Sequence, residues 1–450
     1  MSKPISMNDH VFYRNSKKFY PTADRGEGIY IYDTEGKQYI DGSGGAAVVC
    51  IGHGVKEIAE AMVRQAEQIS FAHGSQFTSR ASMDLAARLV KLAPGGLNKV
   101  YFLSGGSEAI ETSVKLARQY QVERGKPEKY KVISRWTSYH GNTVGALALS
   151  GHTGRRKNYL PLMQHTPHIK PAYCYRCPFG LQPQKCCLEC ATDLEKTILY
   201  EGPDSVSAFI AEPIVGATAG ALVPPDGYFP KIREICDRYD VLFISDEVMT
   251  GMGRTGKNFG VDHWKVVPDM IVAAKGLSSG YTPIAAVIAK EGIHRAIQEG
   301  SGAFVHGHTY SQNPLSCAIA VAAIDYLLKN DLISKSAQTG AYFLRALQLL
   351  YRHEFVGDIR GKGLFAGIEF VKDRETKEPF DPKLRLNSMI TGRAFENGLI
   401  VYPGGGGADG VRGDHILLAP PFIITEKQID QLVAILDQTF TEVAKEIKAE

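Results

Sequence analysis

Apolar positions along this chain switch between a helical and a strand-like period. They recur at helical spacing at Ile58, Met62, Ala66 and Ile69. They do so again at Leu85, Leu89 and Leu92, where Pro94-Gly95-Gly96 ends the pattern. Between residues 28 and 41, Ile29, Ile31 and Tyr39, Ile40 flank the turn Thr34-Glu35-Gly36, which predicts a hairpin. Short apolar runs then alternate with helical stretches. Residues 100–103 precede a glycine loop and the helical pattern Ile110, Val114, Ala117. Residues 131–134 precede a loop with Tyr139, and residues 207–211 precede Glu212-Pro213. Residues 241–245 precede Asp246, and residues 270–274 precede Lys275. Strands alternating with helices predict βαβ units, hence an α/β fold with a mostly parallel sheet.

The last third has a different texture. Helices are predicted near 318–328 and 337–351, and strands around 364–371 and 416–418. The final helix opens on Thr425-x-x-Gln428, a capping box, and carries Ile429, Leu432, Leu436, Phe440 and Val443 on one face. Residues 66–329 form the expected large domain. Residues 1–65 and 330–450 form the two parts of a smaller α+β domain.

Composition narrows the class. Of 450 residues, 44% are hydrophobic, which excludes a disordered chain. With 51 Lys+Arg against 48 Asp+Glu, the net charge of +3 lacks the basic excess of a dedicated nucleic-acid binder. The longest apolar stretch, 317–328, is too short to span a bilayer and carries Asp325. Residues 1–10 have no apolar leader core, so a cytoplasmic location is expected.

The chemistry gathers at strand ends, where ligands of a parallel sheet bind. Ser104-Gly105-Gly106-Ser107 follows one strand and opens a helix, so its N–H groups suit a phosphate. Asp246 closes another strand, and a carboxylate there must be solvated, paired or functional. Lys275 closes the next, where desolvation would make its amine a nucleophile. An amine, a carboxylate and a phosphate loop are the parts that pyridoxal phosphate (PLP) needs: a partner for its aldehyde, one for its pyridinium and donors for its phosphate. Tyr139 offers an aromatic face.

A longer ordered series extends this set. It contains Tyr32-Asp33, Gly36, Tyr39-Ile40-Asp41-Gly42, Gly52-His53-Gly54, Gly106-Ser107-Glu108-Ala109 and Tyr139-His140-Gly141-Asn142-Thr143. It continues with Glu212-Pro213-Ile214, Asp246-Glu247-Val248, Gly253-Arg254-Thr255-Gly256, Lys275-Gly276, His308-Thr309-Tyr310-Ser311 and Pro420-Pro421. Over nearly its whole length the chain thereby resembles the class III aminotransferases, the ω-aminotransferase group of fold type I PLP enzymes. The resemblance implies a large domain with a mostly parallel seven-stranded sheet and a smaller α+β domain built from both termini. It implies Lys275 as the Schiff-base lysine and Asp246 as the partner of the pyridine nitrogen. Tyr139 and Val248 would cover the two ring faces, with Gly106 and Ser107 at the phosphate. His140 and Glu212 would stand at the cofactor, and Thr309 would reach a partner subunit's phosphate. The implied assembly is a homodimer with shared sites, with a tetramer as the larger alternative. Arg254 matches a structural arginine.

The implied reaction moves an amino group from a β- or ω-amino acid or an amine to a keto acid, with pyruvate expected, in ping-pong order. A racemase or decarboxylase of the same family is the alternative. For the substrate carboxylate, the resemblance suggests a mobile arginine on a C-terminal loop. Arg412, in the glycine-rich loop 404–413, is the candidate. Phe19, Tyr20 and Phe77 match pocket-aromatic regions. Ala47 stands where many relatives have Trp, which would widen the pocket or move its wall. Ile110 stands where relatives have Asn.

Five of the eight cysteines fall within residues 174–190, as Cys174-x-x-Cys177 and Cys187-x-x-Cys190 with Cys186 beside them. This spacing leaves structural zinc, free thiols and disulfides as alternatives, with zinc not the favoured one. A non-catalytic metal-binding scaffold is the reading from a different class, and it requires the Lys275, Asp246 and Ser107 set to be coincidence.

Overall fold

The computed structural model of the protein describes residues 10–182 and 185–449. Residues 1–9, which belong to the stretch read for a leader, lie outside it. In chain order, three short strands come first: β1 (Ala23–Glu27), β2 (Tyr30–Asp33) and β3 (Gln38–Asp41). Seven strands of one large sheet follow: β4 (Leu97–Leu103), β5 (Lys131–Arg135), β6 (His168–Ile169), β7 (Val206–Ala211), β8 (Leu242–Asp246), β9 (Met270–Ala273) and β10 (Ala285–Lys290). The last five are β11 (Val356–Gly361), β12 (Ala366–Phe370), β13 (Leu399–Ile400), β14 (Tyr402–Gly404) and β15 (His415–Leu418).

The large sheet runs β4-β10-β9-β8-β7-β5-β6. All its pairings are parallel except those of β10, which is antiparallel to both neighbours. Every residue of β7, β8 and β9 is buried, as expected for strands covered on both faces. The two faces still alternate. Phe209 and Phe243 pack into one core with Phe229 and Leu194, while Ala208, Ile210 and Ile244 pack into another with Ile110 and Val287. The strand β10 was not anticipated. Its run Ala285-Ala286-Val287-Ile288-Ala289 is uniformly apolar and shows neither strand nor helix period. It inserts between β4 and β9, so β4 keeps the direction of the parallel strands and delivers its carboxyl end to the same edge.

The hairpin forms as expected, with Tyr30 opposite Ile40 and Ile31 opposite Tyr39. Its strand β3 also pairs in parallel with β13, Ile40 against Leu399, which ties the N-terminal segment to the last third of the chain. The remaining strands make the sheet β11-β12-β15-β14. Ile29 and Ile58 share one core with Phe370, Leu418 and Phe440. The final helix, Glu426–Ala449, carries its capping box: Thr425 N donates to Gln428 Oε1 at 2.9 Å and Gln428 N to Thr425 Oγ1 at 3.3 Å. Among the described residues, no helix is long and apolar enough to cross a membrane.

One buried cation joins these parts. Arg254 donates to Leu364 O (3.1 Å), Pro420 O (2.6 Å) and Val49 O (2.9 Å), and its guanidinium lies 4.6 Å from the Phe422 ring centroid. Burial pulls its pKa down against the opposing pull of Cys50, whose Sγ accepts from Nη2 at 3.5 Å, and of Asp41. Replacing it by methionine would strand three carbonyls at about 1–3 kcal/mol each. Arg254→Met is therefore expected to lower the unfolding free energy by at least about 3 kcal/mol. Chemical denaturation checks this; a loss below about 1 kcal/mol would show that the carbonyls find other donors.

Candidate active site

Five chain segments converge beyond the carboxyl edge of the large sheet. They follow β4, β5, β7, β8 and β9, and they line a cavity of ≈ 420 Å³ with Ser107, Tyr139, Glu212, Asp246, Val248 and Lys275 on its wall. A parallel sheet makes this convergence unavoidable, since all these strands end on one side.

After β4, the turn Ser104-Gly105 leads into the helix Gly106–Glu123. Glu108 Oε2 closes the turn by accepting from Ser104 N (3.1 Å) and Gly105 N (2.9 Å). The other N–H groups of this first turn have no intrahelical acceptor and point out of the helix end. Ser107 Oγ donates to Asn142 Oδ1 (2.8 Å) and accepts from Asn142 N (3.0 Å), which joins the turn to the Tyr139 loop. Gly141, at φ +150°, sits where a Cβ would fall 2.5 Å from Ser107 Oγ, so only glycine allows this contact.

Asp246 ends β8 inside the protein. Its Oδ2 accepts from His140 Nδ1 at 2.7 Å and its Oδ1 from Val248 N at 3.0 Å. His140 is held in turn by its own N–H on Ser150 Oγ (2.8 Å), and its buried Nε2 has no partner among the described residues. Glu212 follows β7 and is buried. It accepts from Tyr139 N (3.2 Å) and Gly216 N (3.3 Å), and burial raises its pKa against the opposing pull of His140.

Lys275 follows β9 in a tight 3-10 turn, Lys275–Leu277, with φ +46°, an unfavourable value for a side-chain-bearing residue. Burial lowers its pKa from 10.5 to about 8. Asp246 and Glu212 oppose that shift, and the charges of Arg155 and Arg254 add to it. An amine at this value is substantially neutral near pH 8 and can act as nucleophile or base.

The cavity matches the needs of PLP on three counts: an amine of lowered pKa, a buried carboxylate fixed by a histidine, and a helix N-terminus with a serine. Val248 also approaches the phosphate turn closely; a Cβ on Gly106 would lie 3.2 Å from Val248 Cγ1.

Other expected residues stand elsewhere. Ala47 is buried in the core at φ +60°, and Phe19 is 44% exposed; neither lines the cavity. Thr309 is exposed in the single chain. Arg412 does not line the Lys275 cavity. Its Nε meets Asp409 Oδ2 at 2.7 Å and its Nη1 meets Glu378 Oε1 at 2.9 Å, in a separate surface cleft beside Cys174 and Cys177. Sequence reading did not single out Arg155 and Tyr402, which back the Tyr139 loop without lining the cavity. The guanidinium of Arg155 lies 4.3 Å from the Tyr139 ring centroid, and its Nη2 donates to Tyr402 Oη at 3.2 Å. Arg155 stands next to Arg156 in sequence, and nothing local marks which of the two faces Tyr139.

All eight cysteines are free thiols, with Cys174 and Cys187 exposed and Cys190 buried, its pKa pushed up to about 12 by burial. Among the described residues, no group of three or more His, Cys, Asp or Glu side chains could hold a metal ion.

Residues 11–440 match the family profile described as "Aminotransferase class-III". The chain is 41% identical over 444 residues to the "Uncharacterized aminotransferase YodT" of Bacillus subtilis (strain 168), covering 98% of this chain and 100% of that one. It is 38% identical to the "Putrescine--pyruvate aminotransferase" of Pseudomonas aeruginosa, over 92% of this chain and 90% of that one. Among solved structures, it superposes with a TM-score of 0.90 on a thermostable (S)-enantioselective omega-transaminase from Thermomicrobium roseum, at 36% identity and coverage of 97% and 96%. The omega transaminase from Pseudomonas jessenii in complex with PMP gives a TM-score of 0.90, at 35% identity and coverage of 97% and 96%.

The lowered pKa of Lys275 sets a direct expectation. Below pH 8 its amine is charged and unreactive; above pH 8 it is neutral. In cofactor-free protein, acylation of Lys275 by a small reagent, followed by peptide mass mapping across pH, is expected to reach half its maximal rate near pH 8. A midpoint at the ordinary lysine value of 10.5 would contradict the burial argument.

Proposed function

This chain belongs to the class III aminotransferases, with the fold type I architecture of PLP enzymes, and on that premise we propose that it transfers an amino group from an amine or a β- or ω-amino acid to pyruvate by a ping-pong sequence. The observation that carries the site reading is the pairing of a half-buried Lys275 with a buried Asp246, opposite charges in one cavity at the ends of adjacent strands. The pyruvate reading is supported by the similarity to an aminotransferase named for putrescine and pyruvate.

When bound, PLP supplies the carbonyl that takes up amines and the ring that accommodates negative charge at the substrate carbon. The chain's residues do the rest. Asp246, oriented by His140 and by Val248 N, would hold the ring nitrogen in its protonated form. Tyr139 and Val248 line the cavity where they would enclose the ring, and Ser107 with the first-turn N–H groups would hold the phosphate. Lys275 Nζ, neutral at mildly alkaline pH, takes the proton from the donor's α-carbon. Glu212 fixes the Tyr139 loop through the Tyr139 N–H. Because a single cavity serves both donor and acceptor, the first product leaves before the acceptor enters, which is the ping-pong order.

The proposal extends to a homodimer in which Thr309 serves the partner's phosphate. Thr309 is exposed, and its neighbour Tyr310, 59% exposed, meets the exposed Phe71 ring at 5.9 Å, which puts apolar surface beside it. His308 Nε2 meets Glu108 Oε2 at 3.2 Å, so this segment already borders the phosphate turn.

An amine panel with pyruvate and 2-oxoglutarate in competition tests the reading. Alanine is expected to accumulate in step with the carbonyl product, with parallel double-reciprocal lines. Lys275→Ala is expected to lose at least about 10³-fold in kcat, as removal of a proton-transferring group does. Release of CO2 or racemisation of donor without amino transfer would contradict the proposal.

A further inference from the structure

The Glu212 carboxylate is held in the Lys275 cavity partly by the loop that follows it. Residues 214–222 are buried throughout, although connecting loops ordinarily run over the surface. The loop closes on itself through Val215 N to Leu222 O (3.0 Å) and Leu222 N to Val215 O (2.9 Å). Toward the sheet loops it makes two bonds. Gly216 N donates to Glu212 Oε1 (3.3 Å), and Thr218 Oγ1 donates to Thr137 O (2.9 Å), two residues before Tyr139. The carbonyls of Ala219 and Gly220 go instead to Arg360, whose Nη2 donates to the first and whose Nε donates to the second at 3.0 Å. Arg360 lies on β11 of the sheet β11-β12-β15-β14, 140 residues beyond Gly220. Its side chain is 10% exposed, and two carboxylates fix it: Nη1 meets Asp358 Oδ2 at 2.6 Å and Glu369 Oε2 at 2.8 Å. Glu369 is held in turn by Tyr173 Oη and by Arg176 Nε, the latter at 2.5 Å. Burial opposes the charge on Glu369, but Arg360 and Arg176 outweigh it and keep its pKa below the usual carboxylate range. The backbone of β12 also packs against the loop, since a Cβ on Gly367 would collide with Gly220 O.

We propose that Arg360 is a positioning residue for Glu212: from a separate sheet it fixes the loop 214–222, and through Gly216 N that loop sets the Glu212 carboxylate in the cavity beside Lys275. The inference deepens the aminotransferase reading of that cavity and rests on it. Arg360 is not on the cavity wall, so it acts only through the loop. Two buried carbonyls left without a donor are costly, and the loop would shift to find others. Gly216 N would then leave Glu212 Oε1, and the buried carboxylate would lose an N–H that favours its charged form. Glu212 in that form helps to keep Lys275 protonated, so its loss lowers the pH at which the amine becomes neutral. His140, Asp246 and Arg135 also act on Glu212, and Asp246, Arg155 and Arg254 also act on Lys275. The test leaves all of these residues in place.

Two variants test this in the full chain. Arg360→Lys keeps a charge for Asp358 and Glu369 but lacks the fork that reaches both carbonyls. Arg360→Met/Glu369→Gln removes the fork together with its main buried counter-charge, and it serves if the first variant does not fold. The first readout is the pH midpoint of Lys275 acylation in cofactor-free protein. Each variant is expected to move it below the wild-type value by about 0.5 pH unit. In a Glu212→Gln background, Arg360→Lys is expected to add no further shift. The second readout is kcat of the PLP-loaded enzyme. Arg360→Lys is expected to lower it about 10-fold alone and less than about 2-fold in the Glu212→Gln background. An unmoved midpoint would overturn the proposal, as would equal losses with and without the Glu212 carboxylate; either result makes Arg360 a part of the fold and nothing more. If the wild-type enzyme moves no amino group from any donor, the aminotransferase reading falls, while the acylation midpoint still decides whether Arg360 positions Glu212. Failure at Arg360 alone leaves that reading standing.

Discussion

Three ionisable side chains, the buried Asp246 and Glu212 and the half-buried Lys275, line one cavity, and the surrounding structure is arranged around their desolvation. The shift of Lys275 from 10.5 to about 8 corresponds to about 3 kcal/mol against its charged form. Asp246 is compensated by His140 and by the Val248 N–H, and Glu212 by two backbone N–H groups. Each compensating group comes from a loop beyond a parallel strand, so the electrostatics hold only if β5, β7, β8 and β9 end together.

That edge is in turn fixed from outside the sheet. The N-terminal hairpin pairs with β13, and Arg254 gathers carbonyls from Val49, Leu364 and Pro420, far apart in sequence. The C-terminal part also bonds to the segment that follows the Tyr139 loop, through Tyr402 on β14 to Arg155 and through Gly405 to His152. The cavity wall itself is built by the sheet loops, with the chain's last third packed behind the Tyr139 loop.

The strand ends were legible in the sequence because short apolar runs stop at single polar residues: Glu212, Asp246 and Lys275. Burial on both faces makes the runs, and chemistry makes the stops. The strand β10 was not legible, since Ala285–Lys290 is apolar throughout and its antiparallel pairing is decided by neighbours distant in sequence. Arg412 drew attention through its glycine-rich loop, but Asp409, three residues away, captures it locally, and Glu378 adds a second carboxylate. The contacts of Arg155 were not legible because Tyr139 and Tyr402, which it meets, lie 16 and 247 residues away. Long-range pairing of this kind leaves no periodic trace.

The account centres on one amine, Lys275. Loading the protein with PLP, reducing it with borohydride and mapping the peptides by mass tests that centre most directly. The pyridoxyl mass is predicted on the peptide containing Lys275 and on no other. Stoichiometric labelling of a different lysine, such as Lys257 or Lys290, with Lys275 unmodified, would contradict the account.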